Sequence, residues 1–360
     1  MAKLSFDDIS IKAVVTTAGD KKLEIEDEAS RFSYDEKSLK RLKRSMGFES
    51  RYVLSDDSVC TSDLCLASAE KIFEGLDIGP ESIDALIMVT QTPDYRAPSS
   101  AIIMQHRLGL TEDTIAYDIN LGCSGFINGL FTAYSMINSG LDRVLLCVGD
   151  VASRFAYERD RNLTPLMGDA GSAVLIERGG GSRSYFLLRS DGSGYRHLII
   201  PDGGCRRPFS KESLELRVSQ DGSVRRDMDM YMNGAEIFNF TIKVVPTMFD
   251  ELLEFAGMGK EDMDYFVLHQ ANRYILRNIA KRLGVSEDRL PMDTVSIYGN
   301  QNSASIPGTI NAFLSDSYSN SSLRSIFAGF GIGLSWGACI VDTESIFAPG
   351  IFHYEKKERE

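Results

Sequence analysis

The sequence predicts an α/β fold of two similar halves, on three observations. The chain has 360 residues, 43% apolar and 25% charged, enough to bury a large core. Segments about 180 residues apart resemble each other. Within each copy, short apolar runs alternate with amphipathic stretches, the pattern of strands and helices in layers.

Each element of the repeat can be justified in chain order. Gly79-Pro80-Glu81-Ser82-Ile83-Asp84 reads as a turn into the apolar strand at 85–88, and Gly259-Lys260-Glu261-Asp262-Met263-Asp264 leads likewise into 265–268. Arg107-Leu108-Gly109-Leu110 and Arg282-Leu283-Gly284-Val285, 175 residues apart, each close an amphipathic helix at a Gly cap. A strand is then expected near Asp118 and, again 175 residues on, near Asp293. The first half finishes with an apolar strand at 143–148 and a hairpin-like 168–176, the second with 325–329 and 333–341. Residues 177–232, rich in Gly, Ser, Arg and Asp, read as hairpins and loops. The expected division is 1–178 for the first half, 179–232 for the connection and 233–360 for the second half, related by a pseudo-twofold axis.

Composition bounds the partners. The 51 acidic and 39 basic residues leave a net charge of −12, which argues against bulk attraction to nucleic acid or an anionic membrane. The apolar runs fall far short of the ~20 residues a membrane helix needs. Asp7 and Asp8 stand where a signal peptide would be apolar, so a soluble, cytoplasmic protein is expected. Six cysteines without a CxxC pair and four scattered histidines suggest neither a disulfide framework nor a metal site.

Three residues carry candidate chemistry. Cys123 lies in Leu121-Gly122-Cys123-Ser124-Gly125-Phe126, where a strand gives way to small residues and then an apolar helix, a nucleophile-elbow pattern. At a helix N-terminus the dipole is expected to favour the thiolate. A lone cysteine is more often a small buried apolar residue, and Cys60, Cys65, Cys147 and Cys339 keep that reading, while Cys205 is a loop thiol. His269, in His269-Gln270-Ala271-Asn272, follows the strand at 265–268 and should project from its carboxyl edge, where open α/β sheets bind ligands. Asn300, in Gly299-Asn300-Gln301-Asn302-Ser303, occupies the second copy's equivalent of the Cys123 turn, so the pseudo-twofold should bring the two turns face to face. An imidazole and an amide can both donate hydrogen bonds to an oxyanion. Taken singly, each has an ordinary structural reading.

Together with Met167-Gly168-Asp169-Ala170-Gly171, Met232-Asn233-Gly234-Ala235-Glu236, Ser303-Ala304-Ser305-Ile306-Pro307 and Gly329-Phe330-Gly331-Ile332-Gly333, these motifs make residues 43–342 resemble the β-ketoacyl-acyl-carrier-protein synthase III family of the thiolase superfamily. The resemblance implies a five-layered α-β-α-β-α core and a homodimer. It implies that Cys123 takes an acyl group as a thioester. His269 and Asn300 then stabilise the enolate formed as a malonyl-acyl carrier protein loses carbon dioxide, and the carbanion attacks the acyl-cysteine. Backbone N–H groups of Cys123 and Ile332 are implied as the oxyanion hole, and Ala97 and Phe330 as acyl-pocket residues. No metal or organic cofactor is implied beyond the acyl-coenzyme A or carrier-bound substrates.

Arg273, Arg277 and Lys281, four apart on one helix face with Arg282 adjacent, form the expected docking patch for the acidic carrier protein. The coenzyme A or pantetheine contacts fall on Arg161 and Arg41. Arg41 replaces the family's Trp, which disfavours a coenzyme A donor, and Ala97 replaces a Phe, which opens space for a longer or branched acyl chain. Two alternatives stay open: transfer of the acyl group to an alcohol or amine without decarboxylation, and a catalytically silent partner subunit. The retained Cys123, His269 and Asn300 favour condensation.

Overall fold

The computed structural model describes residues 2–220 and 222–356; Met1, Asp221 and 357–360 of the expected division lie outside them. A six-stranded sheet runs in the order Phe352–His353, Ile9–Ala18, Asp169–Arg178, Arg143–Val151, Ala85–Val89, Ile115–Ile119. A five-stranded sheet runs Ala2–Phe6, Ser184–Ser190, Ser335–Thr343, Leu323–Gly331, Tyr265–Leu268. In both, a parallel pair (Ala85–Val89 with Arg143–Val151, Tyr265–Leu268 with Leu323–Gly331) is followed by two antiparallel pairings. Equivalent strands of the repeat therefore hold equivalent places.

Strand side chains explain the layering. In Ala85–Val89 every residue is buried: Ala85, Ile87 and Val89 face one core, Leu86 and Met88 the opposite one. Tyr265–Leu268 splits likewise, with Tyr265 and Val267 facing the same central core and Phe266 and Leu268 an outer one. The central core also takes Phe126, Leu130 and Ile137 of the helix Gly125–Asn138 and Ile306 and Ile310 of Ser305–Phe313. Thr61–Leu76 and Ser100–Arg107 cover the outer face of the six-stranded sheet through Cys65, Ala69, Ile72 and Met104. Gly234–Ala256 and Arg273–Leu283 cover that of the five-stranded sheet. The result is an α-β-α-β-α stack.

Two local expectations change. The strand expected near Asp293 is instead the short helix Thr294–Tyr298. Its first-half counterpart, Ile115–Ile119, pairs with Ala85–Val89, whereas the second copy carries Pro291, which has no N–H to offer a ladder. The stretch read as hairpins and loops holds the short ladders Leu198–Ile199 with Tyr231–Met232 and Arg217–Val218 with Val224–Arg225, but it also contributes the strand Ser184–Ser190 to the second sheet. The halves also exchange ends. Ala2–Phe6 pairs into the second sheet and Phe352–His353 into the first.

Candidate active site

Cys123 sits between the strand Ile115–Ile119 and the helix Gly125–Asn138 and opens on a cavity of about 350 Å³. His269 and Asn300 line the same cavity, whose wall is otherwise mostly apolar, with Met46, Met167, Met230, Met232, Phe155 and Phe238. Close packing fixes the thiol's back. A Cβ on Gly331 would lie 2.8 Å from Cys123 Sγ, so only glycine lets that strand pass. Ser124 Oγ lies 2.5 Å from Ser335 Oγ, which donates to the carbonyl of Ile332 at 2.9 Å, tying the Ile332 turn to the Cys123 turn. The backbone N–H groups of Ile332 and of Cys123 itself act on the thiol in the direction that favours its charged form.

Burial, with low-dielectric cavity wall around it, pushes the Cys123 thiol up to about 11 from 9.0; the Ile332 N–H opposes this, and the Asp150 carboxylate adds to it. The expected dipole-stabilised thiolate is therefore corrected. Desolvation outweighs what the Ile332 and Cys123 N–H groups return.

His269 extends the strand Tyr265–Leu268 by one residue, its N–H donating to the Ala328 carbonyl at 2.8 Å. Its ring Nδ1 lies 2.8 Å from Ser305 Oγ, and Phe330 meets it edge-on with centroids 5.7 Å apart. Burial lowers it to about 4 from 6.5, so it is neutral at pH 7. The rest of its motif is structural. Gln270 Nε2 donates to the Leu268 and Pro291 carbonyls at 3.0 Å each, and Asn272 Oδ1 caps the helix Arg273–Leu283 by accepting from the Ile275 N–H at 2.8 Å.

Asn300 is held from the other half: its N–H donates to the Leu166 carbonyl at 2.7 Å, and its own carbonyl accepts from the Gly168 N–H at 3.1 Å. Its side-chain Oδ1 accepts from the Asn302 N–H at 2.9 Å, and Nδ2, with no partner among the described residues, is the amide's donor group toward the cavity.

The remaining predicted residues divide. Phe330 and Ile332 line the cavity. Ala97 is exposed and lies outside it. Arg41 is exposed on the helix Glu36–Met46, whose last residue lines the cavity, and Arg161 packs over the Tyr34 ring at 5.0 Å; neither lines it. Arg273 pairs with Asp293 at 3.1 Å, Arg277 with Glu287 at 3.6 Å, and Arg282 donates to the Ile242 carbonyl at 2.8 Å, while Lys281 is exposed on the same helix. The basic face is thus partly neutralised. Sequence reasoning missed Asn302, which lines the cavity, and Asp150 and Ser305, which bond to lining residues without lining it themselves. An acid inside the otherwise apolar strand Arg143–Val151 was the available signal for Asp150.

Comparison with known proteins identifies the family. The 3-oxoacyl-[acyl-carrier-protein] synthase III profile matches residues 117–192, and its C-terminal counterpart matches 253–343. A Campylobacter jejuni protein with the provisional name 3-oxoacyl-[acyl-carrier-protein] synthase 3 is 35% identical over 99% of this chain and 100% of its own. The β-ketoacyl-[acyl-carrier-protein] synthase III of Caldanaerobacter subterraneus is 34% identical over 80% of this chain and 85% of its own. The crystal structure of a 3-oxoacyl-(acyl-carrier protein) synthase from Burkholderia xenovorans superposes with a TM-score of 0.90 at 34% identity, covering 98% of this chain and 99% of that one. With this fold, these sequence matches and a thiol, imidazole and amide on one cavity, the chain belongs to the β-ketoacyl-acyl-carrier-protein synthase III family of the thiolase superfamily.

Proposed function

We propose that this chain is an acyltransferase that condenses a Cys123-bound acyl group with malonyl-acyl carrier protein. The convergence of Cys123, His269 and Asn300 on one apolar cavity carries this reading. In the first half-reaction the Cys123 sulfur attacks an acyl thioester, the donor's thiol leaves with the proton, and an acyl-cysteine remains. In the second, the bond from the malonyl Cα to its carboxylate breaks, carbon dioxide departs, and the electron pair becomes an enolate. Its oxygen accepts from His269 and Asn300 Nδ2. The enolate carbon attacks the acyl carbonyl, whose oxyanion is held by the Cys123 and Ile332 N–H groups. The C–S bond then breaks, and the released sulfur takes a proton from solvent.

The environment suits charge that develops only in the transition state. Fixed donors in a poorly solvated cavity are worth more than the same donors in water, and removing one such donor typically costs roughly 100- to 1,000-fold. Transfer to an alcohol or amine would need a general base near the working pH, and a histidine lowered to about 4 is poorly matched to that task.

The acyl carrier protein is the proposed partner, docking at the exposed cations of Arg273–Leu283 and of the neighbouring Glu36–Met46, which adds Lys37, Lys40, Arg41 and Arg44. Surface ion pairs as weak as those of Arg273 and Arg277 yield readily to a partner's carboxylates. The strand Ile115–Ile119 is an edge with a half-exposed face, the surface through which the six-stranded sheet would continue in a homodimer. No helix among the described residues is long and apolar enough to cross a membrane. A cytoplasmic setting is the proposed one.

Intact-protein mass spectrometry tests the reading. Wild type, but not Cys123→Ala, should gain an acyl adduct from acyl-coenzyme A or acyl-carrier protein and lose it to malonyl-carrier protein as a β-ketoacyl product. An adduct that malonyl-carrier protein fails to discharge would favour the acyl-transfer alternative. No adduct from any donor would favour the silent subunit.

A further inference from the structure

Behind the cavity, Asp150 is fully buried at the end of the strand Arg143–Val151, without an ion pair among the described residues. Its Oδ1 accepts from the Gln91 N–H at 2.7 Å and from the Thr90 and Thr92 hydroxyls at 3.2 Å each. Its Oδ2 accepts from Asn302 Nδ2 at 2.8 Å and the Ser303 hydroxyl at 3.2 Å. A buried carboxylate is costly unless its hydrogen bonds secure something, and both oxygens here hold backbone or side chains that line the cavity or adjoin it.

Asn302 is where the connections meet. Its backbone is left-handed, with φ of 49°, a conformation that asparagine adopts more readily than most non-glycine residues. From that position its N–H holds Asn300 Oδ1 at 2.9 Å, and its carbonyl accepts from the Ser305 hydroxyl at 2.8 Å, the same hydroxyl that lies 2.8 Å from His269 Nδ1. A single residue anchored on Asp150 therefore reaches both candidate donors.

We infer that Asp150 and Asn302 are a positioning pair that aims the Asn300 amide directly, and His269 through Ser305, for the decarboxylation half-reaction. The inference rests on the condensation reading. It goes further by assigning the orientation of both donors to a contact between the two halves of the fold. Neither residue of the pair needs to touch the acyl group, so removing the Asn302 side chain should leave loading of Cys123 in place, while removing the Asp150 charge should ease thiolate formation rather than hinder it.

The test separates the two half-reactions in the full-length protein. Asn302→Gly keeps the backbone groups and the left-handed φ but removes the link to Asp150. It should cut carbon dioxide release from malonyl-carrier protein by about 30- to 100-fold while acyl loading of Cys123 stays within about twofold. Asp150→Asn places an amide against the Asn302 amide and should fall as far. The double variant Asp150→Asn with Asn302→Asp restores a donor facing an acceptor and should regain at least about tenfold over Asp150→Asn alone. Folded Asn302→Gly protein that releases carbon dioxide at the wild-type rate would overturn the inference. So would loading and decarboxylation falling together, or a double variant no better than Asp150→Asn. If wild type loads its acyl group but releases no carbon dioxide, the condensation reading itself fails and takes the inference with it.

Discussion

Ser305 Oγ stands 2.8 Å from His269 Nδ1 and 2.8 Å from the carbonyl of Asn302, so one hydroxyl proton has two acceptors within reach. That carbonyl also accepts from the Ser305 N–H, and hence can spare the hydroxyl. A neutral imidazole has one N–H. His269 can donate from Nε2 only if Nδ1 is bare and accepting, which requires the Ser305 hydroxyl to donate to it. Turned from the Asn302 carbonyl to the imidazole, the Ser305 hydroxyl selects the tautomer that the enolate needs.

Ser305→Ala removes that selection and leaves the Asn302 carbonyl to attract a proton onto Nδ1. Decarboxylation should fall about 10- to 100-fold, with acyl loading within about twofold. Nitrogen chemical shifts of the His269 ring should move from the Nε2–H to the Nδ1–H pattern. An unchanged tautomer in the folded variant would remove Ser305 from this role.

The poorly solvated thiol makes acyl loading dependent on pH. With Cys123 pushed up to about 11, only about one molecule in a thousand carries thiolate at pH 8, and the fraction grows tenfold per pH unit. The rate of Cys123 alkylation by iodoacetamide should rise with a slope near one from about pH 7 to about pH 9.5, with no plateau. A plateau below pH 8 would mean that the helix N-terminus and the two N–H groups outweigh burial after all.

Much of this arrangement was legible because the repeat encodes it. The turns before Ala85–Val89 and Tyr265–Leu268, the Gly109 and Gly284 helix ends at φ of 68°, and the strand after which His269 projects all follow from local patterns. What escaped depended on contacts between distant segments. A helix stands where a strand was expected after Pro291, and the strand Ser184–Ser190, flanked by Gly-rich loops, was recognisable only by its partners Ala2–Phe6 and Ser335–Thr343. Asp150 and Asn302 lie 152 residues apart, so their pairing is invisible to any local pattern. The thiol's acidity was misjudged for the same reason: the dipole is a local feature, whereas desolvation belongs to the assembled cavity.

Ala97 offers a test of quaternary structure. It is exposed and outside its own chain's cavity, yet it lies in the loop that follows Ala85–Val89, next to the open edge strand Ile115–Ile119. If the six-stranded sheet continues across that edge in a dimer and Ala97 contacts the partner's acyl pocket, the side chain at this position will set the chain length accepted. Ala97→Phe should then shift the ratio of long- to short-chain acyl loading toward short chains by about tenfold or more. Sedimentation should give a dimer for wild type and variant alike. An unchanged chain-length profile in a dimeric variant would exclude Ala97 from the acyl pocket.

The burial of His269 also has a consequence for stability that separates its effect from that of Asp150. The folded value of about 4 lies below the ordinary 6.5, so between those values the unfolded chain binds more protons. Stability contributed by the neutral imidazole is present above about pH 6.5 and is lost as the pH falls toward 4. Asp150 works in the opposite sense: burial raises it to about 6 from 3.8, so the folded state binds the extra proton and gains stability as the pH falls through that window. The two effects partly cancel in wild type. His269→Asn removes only the first, and its stability relative to wild type should improve by roughly 2 kcal/mol between pH 7 and pH 4.5. Urea unfolding of both proteins at the two pH values measures this directly. A relative stability that stays constant within about 0.5 kcal/mol would mean that His269 is as easily protonated in the folded protein as in the unfolded chain.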